Sequence, residues 1–435
     1  MNQHRCAVIG VLDNGIDGLS PVAMKCLKQA DVVIGGARTL ALFADNLKAG
    51  VLTRDLGGNL SQVPEWIRTA QEEGMRCAVL ATGDPLCHGI ASFLAAKLCV
   101  ESLEVMPNIS TIQLACARLC LSWQDMKIVS VHTKDAGEWY AEATPDHGLY
   151  GLRRAVQMHD RLAVLTSPDN TPDRIARLLI IANLQNCFQM SVAENLATSN
   201  ENIVVGHSVS ELADRTFSDP NVVLLWRTAP QNKPVQFGYA DDRFQQRYPE
   251  KGLITKREAR AVSLARLQLR ADSVVWDIGA GSGSVGVEAA LLCPMGHVYA
   301  VEKNAADCDN ARANSVAFGL HNYSLVHAKA PEGLNGFPDP DAVFIGGSGG
   351  ELSQLIALIT DRLRTGGHLV MNFVTFENLS VALETLKKIE SSEECFIEWD
   401  ITQLQSSRSK PILDMQRLAA ENPVFIVCVS KKEAA

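Results

Sequence analysis

The chain contains 435 residues, of which 47% are hydrophobic and 20% are charged, so it can bury a sizeable core. Its length exceeds what one core usually organises, and we therefore expect two domains. The formal net charge of −9 argues against a general nucleic-acid binder or a protein that binds anionic membranes.

The N-terminal segment enters a β-like run within five residues, without a signal-peptide core or a cleavage site. No apolar stretch reaches membrane-spanning length, because even the run VVIGGARTLALFA is interrupted by Arg38. The twelve cysteines are scattered without a CxxC pair, which favours packing in a reducing compartment over disulfides or a zinc site. We therefore expect a cytoplasmic protein with no metal centre and no membrane contact.

The first half of the chain, residues 1–230, alternates predicted strands and helices and forms one expected domain. The elements are predicted, in chain order, as strand 6–11, helix 21–29, strand 32–34, helix 64–73, strand 77–80, helix 88–98, strands 127–131 and 162–166, helix 173–181 and strand 222–226. A polar, proline-bearing stretch follows, and we interpret residues 231–251 as a linker between the domains.

The segment ATGDPLCHGI begins at residue 81 and places a glycine, an aspartate and a proline directly after a predicted strand. Such a rigid loop can present backbone groups to a ligand, although a purely structural turn has the same pattern. Downstream, PNIST precedes the run IQLACARLCLSW, and the combination resembles the tetrapyrrole methylase family. In that family the G-D-P and P-x-I-S-S/T turns line the cleft for S-adenosylmethionine, so the resemblance implies cofactor contacts from Gly83, Asp84, Pro85, Ser110 and Thr111.

One loop departs from this family. Most members have G-x-G-P-G after the first strand, whereas this chain has Gly10 followed by VLDNGIDGLSP. The chain keeps Gly15, Gly18 and the pair Ser20-Pro21 but lacks the P-G pair. We therefore assign no substrate contact to this loop and leave it out of the predicted site, and a first half that acts only as a binding module stays an alternative.

Residues 252–435 have the pattern of a doubly wound α/β domain with a largely parallel sheet. The predicted elements are helix 256–269, strand 272–276, helix 285–292, strand 298–301, helix 307–318 and strands 323–327, 342–345 and 368–373, with helices between the later strands where length allows. In such a sheet the ligand binds at the carboxyl ends of the strands, where Asp277 and Glu302 fall.

The stretch VVWDIGAGSGSVGVEAA (274–290) contains a glycine-rich turn between a predicted strand and a predicted helix. Its G-x-G-x-x-G spacing alone fits a nucleotide-like ligand, including a nicotinamide dinucleotide, or a turn without a ligand. Asp277 would repel a pyrophosphate at the helix N-terminus, whereas Glu302 can accept hydrogen bonds from both hydroxyls of a ribose. A ligand without phosphates, such as S-adenosylmethionine, therefore fits better.

The pattern D-x-G-x-G-x-G, followed by an acid one strand later, resembles the Rossmann-like S-adenosylmethionine methyltransferases. This fold does not specify the methyl acceptor, so a methyltransferase that acts on nucleic acid or protein stays open. The resemblance implies cofactor contacts from Thr255, Asp277, Gly279, Ala280, Gly281, Ser282, Gly283, Glu302 and Ala330.

The two halves together resemble the bifunctional, decarboxylating precorrin methyltransferases of cobalamin biosynthesis, which the second half also matches at 252–267, Ala330-Pro331 and Gly346-Gly347. The resemblance implies an α/β chain with an N-terminal tetrapyrrole methylase fold, built from two α/β subdomains with a cleft. A C-terminal Rossmann-like class I methyltransferase domain would follow it. The resemblance also implies one S-adenosyl-L-methionine per domain, a small-molecule tetrapyrrole substrate and a homo-oligomer.

The same resemblance implies conversion of precorrin-6B to precorrin-8X. The first half would methylate C5, and the second half would methylate C15 and remove carbon dioxide from the C12 acetate side chain. A cobalt-containing precorrin presents nearly the same periphery and stays an alternative. Methyl transfer from a sulfonium depends mainly on alignment of the reactants, which agrees with our finding no catalytic-triad pattern in the sequence.

Candidates for catalysis and substrate binding are fewer. His327 ends a predicted strand and is a candidate acid–base group, with a structural histidine as the alternative. Lys256, Arg257 and Arg260, with Lys251 close by, cluster at the predicted entrance helix of the second domain. They are candidates to bind the carboxylates of the substrate, with a solvated helix face as the alternative.

Overall fold

The computed structural model describes residues 4–228, 235–247, 254–391 and 396–433. The chain divides into two compact units, Met1–Gln231 and Asn232–Ala435. Among the described residues, every helix is too short or too polar to cross a bilayer.

The first unit begins with a five-stranded parallel sheet in the order β3-β2-β4-β1-β5. Its central strands are almost continuous apolar runs, as expected for strands that are covered on both faces. The elements are β1 (Cys6–Val11), α1 (Pro21–Gln29), β2 (Val32–Gly35), α2 (Ala37–Phe43), β3 (Leu52–Asp55), α3 (Val63–Glu72), β4 (Cys77–Thr82), α4 (Ile90–Lys97), β5 (Leu103–Met106) and α5 (Thr111–Arg118).

A second five-stranded sheet, in the order β6-β7-β10-β8-β9, completes the first unit. Strands β6 and β7 are parallel, whereas β10 is antiparallel to both β7 and β8. The two α/β halves match the predicted fold of this unit. The elements are β6 (Lys127–Ser130), α6 (Tyr150–Met158), β7 (Arg161–Leu165), α7 (Pro172–Ile181), β8 (Phe188–Glu194), β9 (Asn202–Ser208), α8 (Val209–Leu212) and β10 (Asn221–Arg227).

The second unit contains a seven-stranded sheet in the order β13-β12-β11-β14-β15-β19-β16, with a separate β17–β18 hairpin. The first five strands are parallel, and β19 is antiparallel to both of its neighbours. The predicted Rossmann-like fold is confirmed. The elements are α9 (Arg257–Arg266), β11 (Val274–Ile278), α10 (Ser284–Leu292), β12 (His297–Glu302), α11 (Ala305–Ala317), β13 (Tyr323–His327), β14 (Ala342–Ile345), α12 (Leu352–Arg362), β15 (His368–Phe373), α13 (Phe376–Glu390), β16 (Ile397–Leu404), β17 (Ser407–Ile412), β18 (Met415–Ala420) and β19 (Val424–Lys431).

The segment 231–251, predicted as a linker, differs from a free connection where the structure describes it. Residues 235–247 pack on the second unit, because Phe244 is buried there and the backbone N–H groups of Gly238 and Tyr239 donate to the Glu288 carboxylate. Residues 231–234 and 248–251 lie outside the described residues. The described part of this segment therefore forms an N-terminal extension of the second unit.

Candidate active site

The turn after β11 requires glycine for a steric reason. Gly279 has a φ of +68°, and a Cβ atom added there would collide with the carbonyl of Gly347 and lie 2.8 Å from its nitrogen. Residues other than glycine rarely adopt this backbone conformation, and their Cβ atom would not fit this close approach. The turn after β11 and the loop after β14 therefore meet as bare backbone at the carboxyl edge of the sheet.

Glu302, the last residue of β12, faces this edge as predicted from its position. Its Oε2 accepts a hydrogen bond from the Gly281 N–H (2.9 Å), and its Oε1 accepts one from the Asn304 N–H (2.8 Å). The side chain is 7% exposed and lines a cavity of about 250 Å³. A second acceptor lone pair on each carboxylate oxygen is available to a ligand in that cavity.

The cavity lies where the sequence predicts the ligand, at the ends of the parallel strands. Five of the nine predicted cofactor residues line it, namely Gly279, Gly281, Ser282, Glu302 and Ala330. The other four predicted residues, namely Thr255, Asp277, Ala280 and Gly283, do not line it. Three cations that are not among these nine residues also line it, namely Arg247, Lys303 and Lys329.

The position of Asp277 corrects the predicted direct contact with the methyl donor. Asp277 is 1% exposed, and its Oδ2 accepts a hydrogen bond from the Gly286 N–H (3.0 Å) in the first turn of α10. Its Oδ1 has no hydrogen-bond partner among the described residues. Asp277 therefore ties β11 to α10 beneath the glycine turn, and it supports the cavity without facing it.

Burial raises the pKa of Asp277 to about 7, against the hydrogen bond from Gly286, which lowers it. The folded state keeps this carboxyl protonated up to about pH 7, whereas in the unfolded chain it ionises near the usual pKa of 3.8. The free energy of unfolding is therefore highest below pH 3.8 and falls as the pH rises to 7. We expect this loss to be about 2–3 kcal/mol between pH 5 and pH 7. In Asp277→Asn the corresponding pH dependence should disappear.

The measurement is urea unfolding of the full chain without ligand at several pH values. Hydrogen-exchange mass spectrometry of peptides from β11 and α10 would report on the second unit alone. Parallel pH profiles for the wild type and Asp277→Asn would contradict the assignment. Asp309→Asn, an exposed change on α11, is the control.

Arg260 is the clearest error among the sequence predictions, because it does not reach the cavity. Its guanidinium is fully buried and pairs with Glu288 (2.9 Å) and Asp241 (3.2 Å). It also donates to the carbonyls of Thr255 and Tyr239. Arg260 therefore holds the N-terminal extension on α9, and no substrate carboxylate can reach it.

The remaining predicted substrate residues lie outside the cavity. Lys256 and Arg257 are exposed at the start of α9 and do not line it, while Lys251 lies outside the described residues. His327 is also exposed, and its Nε2 lies 3.0 Å from the Lys303 carbonyl oxygen. This contact holds the ring against the strand end, so the geometry gives no support for an acid–base role of His327.

The first unit has its own cavity, of about 520 Å³, lined by residues from both of its sheets. Among the predicted cofactor residues, Thr111 lines it, while Gly83, Asp84, Pro85 and Ser110 do not. Gly83 nevertheless lies next to α5, because a Cβ added there would be 3.3 Å from the Thr111 nitrogen. The two predicted turns are therefore neighbours at the edge of one cavity.

Ser110 and Asp84 each accept hydrogen bonds from backbone N–H groups close to them in the chain. The Ser110 hydroxyl accepts from the Gln113 N–H (3.1 Å), and the Gln113 side chain accepts from the Ser110 N–H (2.9 Å). This is a capping box, which accounts for a serine at this position without a ligand. Asp84 Oδ1 similarly accepts from the Leu86 N–H (2.9 Å).

The loop after β1, which differs from the family pattern, contacts the same two turns. The Asn108 side-chain amide donates to the carbonyls of Gly10 (3.1 Å) and Gly18 (2.9 Å). A Cβ added to Gly10 would lie 2.7 Å from the Asn108 nitrogen and collide with the Gly83 carbonyl. The loop thus packs closely against both predicted turns without the P-G pair.

The chemistry of the second-unit cavity fits S-adenosylmethionine. The buried Ser282 Oγ has no hydrogen-bond partner among the described residues, so it is available to a polar ligand. The Glu302 carboxylate suits hydroxyl donors and disfavours phosphates. Within the described ranges, no group of three or more His, Cys, Asp or Glu side chains could hold a metal ion.

Comparison with known proteins agrees with this geometry. Residues 5–212 match the model of the tetrapyrrole (corrin/porphyrin) methylases, and residues 246–431 match the precorrin methyltransferase domain. A precorrin-6Y C(5,15)-methyltransferase (decarboxylating) from a Sinorhizobium species is 30% identical over 388 residues, which cover 87% of this chain and 86% of that protein. The chain belongs to the precorrin-6Y C(5,15)-methyltransferase (decarboxylating) family.

Two further relatives each match less than half of this chain. A cobalt-precorrin-6B C(15)-methyltransferase (decarboxylating) from Salmonella typhimurium is 38% identical over 180 residues, covering 41% of this chain and 90% of that protein. A crystal structure of precorrin-6y C5,15-methyltransferase from Geobacter metallireducens is 40% identical, with a TM-score of 0.42, covering 46% of this chain and all of that one. The family models and the Sinorhizobium relative confirm the predicted family, and the chain is a C-methyltransferase of an S-adenosylmethionine-dependent family.

Proposed function

We propose that the chain methylates a precorrin at C5 and C15 and decarboxylates its C12 acetate, with one S-adenosylmethionine site in each unit. The observation that carries the proposal is the Glu302-lined cavity at the glycine turn of the second unit. The separate cavity of the first unit supports a second site. That both sites bind S-adenosylmethionine is part of this proposal.

We assign the reactions to the two units by comparing the length of a relative's alignment with that of the matched domain. The Salmonella relative carries only the C15 and decarboxylating activities in its name, and it aligns over 180 residues. This is close to the extent of the matched precorrin methyltransferase domain, residues 246–431. We assign C15 methylation and decarboxylation to the second unit and C5 methylation to the first.

In the second unit, the residues act by binding and orienting. Bound S-adenosylmethionine supplies a methyl group on a sulfonium, which leaves as a neutral thioether. Glu302 would accept hydrogen bonds from the ribose hydroxyls, and Ser282 would hydrogen-bond to a polar group of the donor. The backbone of Gly279, Gly281 and Ala330 would pack along it. Such alignment of two reactants contributes roughly 7–11 kcal/mol to methyl transfer without an acid or a base.

In the first unit, Thr111 would contact the donor directly. Gly83, Asp84, Pro85 and Ser110 would shape the edge of the cavity through the two neighbouring turns. Decarboxylation in the second unit sends the electron pair of the broken bond into the conjugated ring, which then takes up a proton. A site that holds the ring without strongly stabilising the leaving carboxylate favours this step.

The test is mass spectrometry of the product formed by the full-length chain with S-adenosylmethionine and precorrin-6B, and in parallel with its cobalt-containing counterpart. A product two methylene units heavier and one carbon dioxide lighter would support both sites. One added methyl with loss of carbon dioxide would restrict activity to the second unit. An unchanged tetrapyrrole in both reactions would overturn the proposal.

We expect Glu302→Ala to weaken one of two S-adenosylmethionine sites by roughly 1.5–3 kcal/mol, because charge-assisted hydrogen bonds to the ribose are lost. Isothermal titration of the full chain would separate the weakened site from the unaffected one. Glu384→Ala, an exposed change on α13, is the matched control. Two unaltered sites in Glu302→Ala would remove this residue from the ribose.

A further inference from the structure

Two lysines lie at the mouth of the second-unit cavity. Lys303 directly follows β12 and Lys329 follows β13 by two residues, and both are exposed and line the cavity. A Cβ added to Gly349, in the loop after β14, would lie 3.3 Å from Lys329 Cε and 3.8 Å from Lys303 Nζ. The two side chains therefore converge on one point of this loop.

The partner of Lys329 is poorly placed to hold it permanently. Lys329 Nζ lies 3.1 Å from Glu351 Oε1, and the two side chains are 48% and 38% exposed. An ion pair that is this open to water contributes little stability and exchanges easily for another carboxylate. By contrast Arg247, the third cation of the cavity lining, is held by both oxygens of Asp307 (2.7 and 2.6 Å).

We propose that Lys303 and Lys329 bind a side-chain carboxylate of the tetrapyrrole substrate, and that Glu351 occupies Lys329 until the substrate displaces it. The inference rests on the proposed function for the class of substrate, a ring that carries several carboxylates. Ammonium groups beside the methyl-donor cavity would hold that ring over it. This pair replaces the α9 cluster of Lys256, Arg257 and Arg260, which does not line the cavity.

The competition predicts opposite effects for the two members of one ion pair. Lys329→Gln and Lys303→Gln should each raise the KM for the precorrin about tenfold, since each removes a charge-assisted contact. Glu351→Gln should lower the KM several-fold, because Lys329 is then available without displacement. A pair with a purely structural role would make Lys329→Gln and Glu351→Gln change the KM in the same direction.

The experiment measures KM and kcat from carbon dioxide release by the full-length chain, since this step belongs to the second unit. Lys432 and Glu398 form an exposed pair of similar length (2.9 Å) that does not line the cavity, so Lys432→Gln and Glu398→Gln are matched controls. We expect an unchanged KM for the precorrin in the two control variants. A raised KM in Glu351→Gln, or an unaltered KM in both lysine variants, would overturn the inference.

Failure of the proposed function has a different signature, namely a wild type that releases no carbon dioxide from either precorrin. The lysine pair is then tested by binding of uroporphyrin, a tetrapyrrole polycarboxylate, followed by fluorescence. Roughly tenfold weaker binding by the Lys303→Gln/Lys329→Gln double variant would support the pair. Equal binding by the wild type and this variant would exclude it.

Discussion

Replacing Arg260 by methionine is expected to destabilise the second unit by about 3–5 kcal/mol, the largest loss of stability that we predict for a single substitution. Arg260 and Glu288 are both 0% exposed, and their contact is 2.9 Å long. Methionine can fill much of the space, but it leaves the Glu288 carboxylate buried without its counter-charge. The remaining backbone donors of Gly238 and Tyr239 do not neutralise it.

The loss should appear without any substrate, which separates it from the predicted substrate contact. Hydrogen exchange of peptides from α9 and α10 in the full chain would measure it, while peptides of the first unit provide an internal reference. Arg266→Met on the same helix is the control, because Arg266 is partly exposed and its 3.5 Å pair with Asp400 is open to water. A change in Arg260→Met no larger than that in Arg266→Met would contradict the structural assignment.

The second large effect is expected from Gly279→Ala, which should weaken methyl-donor binding in the second unit at least tenfold. The added methyl group meets the backbone of Gly347, and the φ of +68° adds strain. A Cβ placed there forces apart the two backbone segments that line the cavity. Strain and overpacking of this kind each cost roughly 1–3 kcal/mol, enough to reduce donor affinity at least tenfold if they are relieved by opening the cavity.

Isothermal titration should find one of the two sites weakened at least tenfold in Gly279→Ala, and product analysis should show C5 methylation with reduced loss of carbon dioxide. Gly336→Ala is a suitable control, since no atom lies within 4 Å of a Cβ added at that position. Two intact sites in Gly279→Ala would show that the turn can yield without affecting the cavity.

Some strands with a continuous buried apolar run were predicted with accurate bounds. β1 and β12 are buried at all of their positions, and they begin and end within one residue of the prediction. Eight strands were not predicted. Among them β3, β17 and β18 are mostly exposed and carry no apolar run, whereas β8 and the centre of β19 are buried and were missed all the same. Exposed strands form because of their neighbours, which a local pattern does not contain.

For the site residues, the sequence predicted where a residue lies along a strand or helix better than where its side chain points. Glu302 was predicted correctly to face the edge of the sheet, because its place at a strand end depends only on local sequence. The errors at Asp277 and Arg260 have a different origin, since a sequence does not tell which way a carboxylate turns or which distant residues cover a guanidinium. The partners of Arg260 come from Glu288 and from the N-terminal extension. Lys303 was missed although it adjoins Glu302, and that adjacency was the available signal.

The position of β19 has a consequence for protein synthesis. This strand, Val424–Lys431, lies between β15 and β16 in the sheet. Until it has left the ribosome, β15 is paired on one side only, with β14, and β16 lacks its only neighbour. Contacts of Arg408 with Asp241 and Glu258 also join late residues to the start of the unit. A nascent second unit therefore carries the unpaired edge of β15 and the unpaired strand β16, which are sites for aggregation and for chaperone binding.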